Sequence, residues 1–303
     1  MLKHVAASLG IAVIHYRTPN LAFDCLARLA QAAPGAEVVV VDTAPERDFA
    51  DQLAARHPDV RFVATANHSY AHSVNAGLAA LSAQHLAFMN ADVLVEPDTF
   101  TALRAALDES TGEAVVAPLA LTAAGSPQPM GPGYQLHYRR LRRLRERSAA
   151  SDSAVPAPPS IEVPWLAGYL QLVHRALWDR VGGYDESFRF FNEDIDFCLR
   201  ARALGYTCRL VDTPVVHLGG SSTPAHPAFH AEGRRGGMVI TQRHHGAAYQ
   251  GLHLAYLWAE ALIGRRLART TDRRRAHALV LEMLRSGDWS RSPFGATLDE
   301  RRS

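Results

Sequence analysis

Cysteine is scarce in this 303-residue sequence: Cys25, Cys198 and Cys208 are the only three. Their separations match no metal-ligand spacing, and an odd number fits a reduced compartment better than a disulfide scaffold. Long apolar runs are missing too. No stretch of about 18 apolar residues occurs, so no membrane-spanning helix is expected. The apolar run near the start breaks at His15 and leads into Arg17, which suits a buried first strand better than a signal peptide. Charge of either sign is nearly absent as a net quantity: 32 Lys and Arg stand against 30 Asp and Glu, for a formal +2. That is too small to argue for a nucleic-acid partner. Internal repeats are absent. What remains is the profile of a cytoplasmic globular protein, with 48% apolar residues to build a core.

Those apolar residues fall in alternating patterns. LGIAVIHY (9–16), AEVVVVD (36–42), VRFVAT (60–65), HLAFMNADV (85–93) and AVVAPLAL (114–121) are continuous apolar runs of strand length, as in strands buried on both faces. Helical periodicity over 21–32, 49–57, 72–83 and 98–109 separates them. Strand and helix in alternation predict an α/β wound sheet with ligand chemistry at the carboxyl ends of the strands. A strand is expected before a short helix at 174–181, a helix at 193–204, and two short strands in TCRLVD and PVVHLGG (207–220). Residues 139–160 begin as a basic helical stretch and end as a Ser/Ala/Pro-rich segment that cannot bury much, and together they read as a mobile loop. A catalytic domain over 1–224 is thus followed by a helical extension over 225–303.

Polar residues gather at the predicted strand ends. Asp42 closes the second strand, where a carboxylate can accept bonds from a ribose or a base edge, or cap its own turn. Asn90 and Asp92 follow the fourth strand two residues apart, so both side chains can reach one ligand. They form an oxygen pair suited to magnesium or manganese, or a plain Asx turn. His217 ends VVHLGG, either as a structural histidine or as a further metal ligand beside a glycine stretch that permits close approach. FNEDIDFCLRARALGY (191–206) places Glu193, Asp194 and Asp196 in the first turn of a mostly buried helix, behind Asn192 as N-cap. The helix dipole favours acid there, and these carboxylates could face a cleft.

These residues in this order resemble the inverting family-two glycosyltransferases of the GT-A fold, in particular their rhamnosyltransferase-like branch. The resemblance rests on Asp42 after VVVV, on Asn67, Tyr70, Ala71, Asn75 and Gly77 in NHSYAHSVNAG, on the NAD of 90–92, on GGYDESF (182–188), on NEDIDFCLRARALGY and on HLGGSS. It implies a GT-A sheet, Rossmann-like and mixed, flanked by helices. It further implies that Asp194 is the general base, that Glu193 and Trp165 bind acceptor, and that Asp42, Asn67, Asn75, Asn90 and Gly168 bind the nucleotide sugar. Asp92 and His217 would hold a divalent metal, magnesium or manganese. The donor would be a dTDP- or UDP-sugar and the acceptor a glycan or polyprenyl-linked hydroxyl. His68, Ser69 and His72 make the donor-side loop bulkier than the family pattern.

Two basic stretches stand outside this constellation, Arg139 to Arg147 and the helix end with Arg265, Arg266 and Arg269. They read as solvated faces, as an acceptor lid, or as attachment to an anionic inner-leaflet surface, and the amphipathic helix over 249–270 could equally pair two subunits. A non-catalytic sugar-nucleotide or glycan-binding module on the same scaffold is the alternative function. Paired carboxylates adjacent on one helix, rather than flanking a bond, count against a glycoside hydrolase.

Overall fold

The computed structural model describes residues 8–45, 47–128, 134–149, 159–219, 226–295 and 297–298. Its strands are β1 (Leu9–His15), β2 (Glu37–Asp42), β3 (Arg61–Ala64), β4 (His85–Asn90), β5 (Val93–Leu94), β6 (Ala114–Leu121), β7 (Ser160–Glu162), β8 (Leu170–His174) and β9 (Thr207–His217). Its helices are α1 (Pro19–Ala32), α2 (Arg47–Arg56), α3 (Tyr70–Ala79), α4 (Thr99–Glu109), α5 (Tyr134–Ala149), α6 (Arg175–Val181), α7 (Glu193–Ala203), α8 (Pro227–His244), α9 (Ala247–Leu267) and α10 (Thr271–Ser286).

All strands join one mixed sheet in the order β3-β2-β1-β4-β8-β6-β9-β5, with β7 also on β9. The four strands β3, β2, β1 and β4 are parallel; β8 runs antiparallel to both β4 and β6. Every residue of β1 is buried, as its unbroken apolar run requires when helices cover both faces. The close cover over β1 and β2 depends on Gly77 of α3. A Cβ at that position would stand 2.7 Å from Ala12 Cβ and 2.8 Å from Val41 Cγ2, so any larger residue forces the helix off the sheet.

The chain divides into two compact units. The first comprises residues 1–65, 74–183 and 197–222, the second 66–73, 184–196 and 223–303. The first holds the sheet and its apolar core, from Leu9, Ile11 and Val13 of β1 through Phe100 and Leu103 of α4 to Val211 and Val215 of β9. The second holds a separate core from α8, α9 and α10, centred on Met238, Leu257, Ala261, Val280 and Leu281.

Three expectations change. The two strands foreseen over 207–220 are one, β9, which pairs in parallel with β6 and slips register between Pro118 and Leu119. Pro214 has no N–H to give to a ladder, and the extra residues Asp212 and Thr213 absorb the interruption as a bulge. The basic stretch is helical, as its pattern suggested, but through residue 149 it is a packed helix rather than part of a mobile loop: Leu141 anchors it at 0% exposure, and Arg145 pairs with Asp212. Its Ser/Ala/Pro-rich part, 150–158, lies outside the described residues. The helix foreseen to residue 83 stops at Ala79, because Leu81 and Ala83 turn inward to pack against Gly10.

One buried titratable group sits inside this framework. His15 ends β1 at 2% exposure, its ring 4.4 Å from that of Phe49, and burial pushes its pKa down to about 4. The unfolded chain binds a proton near pH 6.5 that the folded chain refuses, so stability is full above that pH and falls as pH drops toward 4. Urea unfolding at pH 7 and pH 5 should show a loss of about 2 kcal/mol assignable to this group. The loss should shrink by that amount in His15→Gln.

Candidate active site

In the first unit the polar ends of the strands meet along one edge. His15 and Asp42 stand opposite each other in the β1–β2 register, and Ile14 stands opposite Asn90 across β1–β4. Asp42 is buried, and its Oδ1 accepts from Ala44 N at 2.9 Å, the turn-capping bond. After β4 the backbone is pinned on both sides: Asn90 N donates to Tyr169 O at 3.0 Å, Ala91 N to Ile14 O at 3.1 Å, and Leu218 N to Asp92 O at 3.0 Å. This fixes Asp92, which is 5% exposed, beside the end of β9.

There Asp92 Oδ1 lies 3.4 Å from His217 Nε2. Behind the ring, His217 Nδ1 is 2.8 Å from Gln128 Oε1, and Tyr169 stacks on it at 5.4 Å. The Gln128 amide oxygen can accept from an Nδ1–H, and in that neutral tautomer the Nε2 lone pair would face the carboxylate. Two donors so placed would suit a cation between them. A divalent metal with oxygen and imidazole ligands fits that donor set, with further positions left for phosphate oxygens and water. No group of three His, Cys, Asp or Glu side chains among the described residues is arranged to hold a metal alone. Gly219, at φ +62, leaves room for Gln128: a Cβ there would be 2.8 Å from its Nε2. The buried Cys25 thiol is pushed up to about 12, by burial first and then by the Asp92 charge, so it stays a thiol.

The other expected residues of this unit are placed less tellingly. Asn75 of α3 packs against Gly183, where a Cβ would come within 2.9 Å of its Oδ1. Trp165 is partly buried against the sheet core, and Gly168 lies in the turn before β8.

The second unit contains Asn67 and the acidic turn. Asn67 O accepts from Leu298 N at 2.7 Å. The three first-turn carboxylates of α7 have three environments. Asp196, at 0% exposure, lies 3.3 Å from both Arg243 Nη1 and His244 Nε2. Glu193 is also buried, and its Oε2 has no hydrogen-bond partner among the described residues. Burial, then the charges of Asp194 and Glu232, raise its pKa well above the usual carboxylate range, which favours its protonated form. Asp194 alone of the three is partly exposed, and its Oδ1 accepts from Ile195 N at 2.8 Å.

The turn that presents them is strained. Phe191 and Asn192 both have left-handed backbone, φ +66 and +71, which costs non-glycine residues about 1–2 kcal/mol each. Asn192 therefore does not take the extended conformation of an ordinary N-cap. Its amide nitrogen donates instead to Gly233 O of α8 at 3.1 Å. A buried ion pair on α8 holds the approach to the turn. Arg235 and Glu232 bond through Nε–Oε2 at 2.9 Å and Nη2–Oε1 at 2.6 Å. Arg235 also donates to Ser187 O and Trp289 O, while Glu232 accepts from Arg189 N and Ser292 Oγ. Gln128, Tyr169, Glu232, Arg235 and Gly236 were not foreseen from the sequence; a glycine and an i,i+3 ion pair inside a helix were the available signals for the last three.

The Glycosyltransferase like family 2 model matches residues 8–226. The chain belongs to glycosyltransferase family 2. The low-salt glycan biosynthesis hexosyltransferase Agl10 of Haloferax volcanii is 23% identical over 222 residues, which cover 67% of this chain and 66% of the relative, just under two thirds of its length. Among solved structures, mannosyltransferase PcManGT from Pyrobaculum calidifontis, in complex with GDP-Man and Mn2+, is similar with a TM-score of 0.56 at 18% identity, over 92% of this chain and 86% of that one. GalNAc-T7 with UDP, GalNAc and Mn2+ has a TM-score of 0.56 at 14% identity, over 69% of this chain and 43% of that one. These likenesses establish the GT-A architecture expected from the sequence.

The family 2 match ends at residue 226, so α8 and the Glu232–Arg235 pair that steady the acidic turn lie beyond it. Gly236 is the tightest point of that support: a Cβ there would sit 2.6 Å from Asn192 Nδ2 and 3.2 Å from its Cβ. Gly236→Val should therefore destabilise the protein by about 1–3 kcal/mol. Urea unfolding checks this, with Gly251→Val, inside α9 where a Cβ meets nothing within 4 Å, as the comparison that should change little.

Proposed function

We propose that this family 2 chain is a metal-dependent, inverting glycosyltransferase. It moves a hexose or a deoxyhexose such as rhamnose from a nucleoside-diphosphate sugar to a hydroxyl of a glycan or polyprenyl-linked acceptor. The Asp92–His217 pair at the carboxyl edge carries the proposal, because its donor set suits a divalent cation with open positions. The hexosyltransferase name of the Haloferax relative, and the Mn2+ beside UDP or GDP-Man in the two similar structures, support it.

Inverting transfer needs a base in its ionised form. The surroundings of Glu193 favour its protonated form and Asp196 is engaged by Arg243 and His244, so we assign the role to Asp194. The acceptor oxygen attacks the anomeric carbon from the face opposite the diphosphate. Its proton passes to the Asp194 carboxylate as the new carbon–oxygen bond forms. The bond from that carbon to the phosphate oxygen breaks, and its electron pair leaves on the nucleoside diphosphate. Magnesium or manganese held by Asp92 and His217 would neutralise charge on that leaving group. We assign Asp42, Asn67, Asn75, Asn90 and Gly168 to the nucleotide sugar and Trp165 to the acceptor. Glu193, in the protonated form its surroundings favour, would donate a hydrogen bond to the acceptor rather than take a proton.

The test is release of nucleoside diphosphate from a panel of UDP-, dTDP- and GDP-sugars, with magnesium or manganese and with EDTA. One donor should be cleaved, and EDTA should abolish the release. Acceptor-dependent turnover should fall about a hundred-fold or more in Asp194→Asn, and Asp92→Asn should weaken metal-dependent release at least about ten-fold. Glu193→Gln preserves the neutral form that this environment favours, so it should leave most of the rate that Asp194→Asn removes. A panel in which no sugar nucleotide binds would defeat the proposal.

A further inference from the structure

Helix α9 carries two apolar faces. Leu257 and Ala261, both at 0% exposure, form the inner one against α8 and α10. The outer one stands in solvent: Tyr249, Leu252, Tyr256, Ile263 and Leu267 recur at steps of three, four and seven residues, which at about 100° per residue align on one side of a helix. Leu252 is 69% exposed, Ile263 56% and Leu267 74%. Exposed Ala255 and Ala259 widen the stripe without adding a polar group.

Charge is distributed unequally along the same helix. From 247 to 264 its only Asp, Glu, Lys or Arg is Glu260, which is held by Arg234 through Nε at 2.7 Å. The last turn and the start of α10 then bring Arg265, Arg266, Arg269, Arg273, Arg274 and Arg275 against a single acid, Asp272, and all seven are exposed. An apolar stripe that ends in clustered arginine matches a surface with an apolar interior and anionic phosphates above it.

We propose that the outer face of α9 docks on an anionic lipid surface, its stripe at the headgroup–acyl boundary and the arginines on lipid phosphates. Charge favours lipid over a second copy of the chain. The one carboxylate on α9 is taken by Arg234, so a copy offers the arginines no free acid beside the stripe, whereas a lipid headgroup does. No helix among the described residues is long and apolar enough to cross a membrane, so this contact lies in the plane of the surface. The inference does not rest on the transfer reaction.

Flotation of the full chain with vesicles tests it, using phosphatidylcholine alone and phosphatidylcholine with about 30% phosphatidylglycerol, at low and high salt. The chain should float with the anionic vesicles, and high salt should weaken the binding. Leu252→Glu with Ile263→Glu should lower partitioning at least ten-fold, as should Arg265→Gln with Arg266→Gln and Arg269→Gln. Both variants should keep the wild-type melting temperature and nucleoside-diphosphate release. Should the glutamates disturb folding, the arginine set still decides, since all three side chains are exposed. Flotation indifferent to lipid charge, absence of flotation, or a sedimentation dimer that the glutamate variant splits would each overturn the proposal.

Discussion

Burial of β1, β2 and β4 on both faces is the constraint that organises the first unit. Along these strands there is no place for an unpaired polar side chain, because each would be withdrawn from water without a partner. Polar chemistry is therefore displaced to the strand termini, and the parallel arrangement brings the carboxyl ends of β1, β2 and β4 to the same edge. Asp42, Asn90 and Asp92 sit where they do for that reason. His217 arrives from the far side of the sheet: β5 pairs antiparallel with the end of β9, Val93 opposite His217. The Asp92–His217 approach is thus set by strand pairing, which is stiffer than a loop-to-loop contact.

The second unit meets a different constraint. Three carboxylates in one helical turn, Glu193, Asp194 and Asp196, share the helix dipole, so the dipole cannot tell them apart. Their surroundings do. Asp196 is buried with a guanidinium and an imidazole beside it; Glu193 is buried among other carboxylates, which raise its pKa and favour its protonated form. The same sequence run thus yields one buried carboxyl group engaged by basic partners, one buried acid with a raised pKa and one partly exposed side chain. The strained backbone at Phe191 and Asn192 is the local means of turning them outward and inward, and it persists because α8 holds it from several directions.

How much of this was legible in the sequence depends on whether the cause is local. Continuous apolar runs bounded by turn residues gave β1, β2, β3 and β6 to within a residue, because burial on both faces leaves that imprint directly, while the fourth run, read to residue 93, ends as a strand at Asn90. Asp92 and His217 were visible as strand-end residues, although only the pairing of β5 with β9 brings them to 3.4 Å. Gln128 left no imprint at all. It follows β6 in a Gly- and Pro-rich stretch and acquires a role only through the space that Gly219 leaves. Pro214 was misread as a boundary between two strands, since a bulge that spans a proline is a property of the partner strand as much as of its own. The inequality among Glu193, Asp194 and Asp196 was likewise beyond sequence reasoning, because Arg243, His244 and Glu232 lie far along the chain.

The helices of the second unit explain why α9 has a face to spare. One side of α8 is committed to the acidic turn through Glu232, Gly233, Arg235 and Gly236, and another side packs into the core with Met238. α10 fills the remaining inner space with Val280, Leu281 and Leu284. α9 needs only Leu257, Ala261 and their neighbours to close that core, so no further layer among the described residues covers its opposite side. A helix that met only this structural demand would carry polar residues there. Instead Leu252, Ile263 and Leu267 occupy it, and the arginines begin where the stripe ends. Core packing accounts for none of these residues. Their common direction and the charge beside them are the signature of a surface selected to meet something outside the fold.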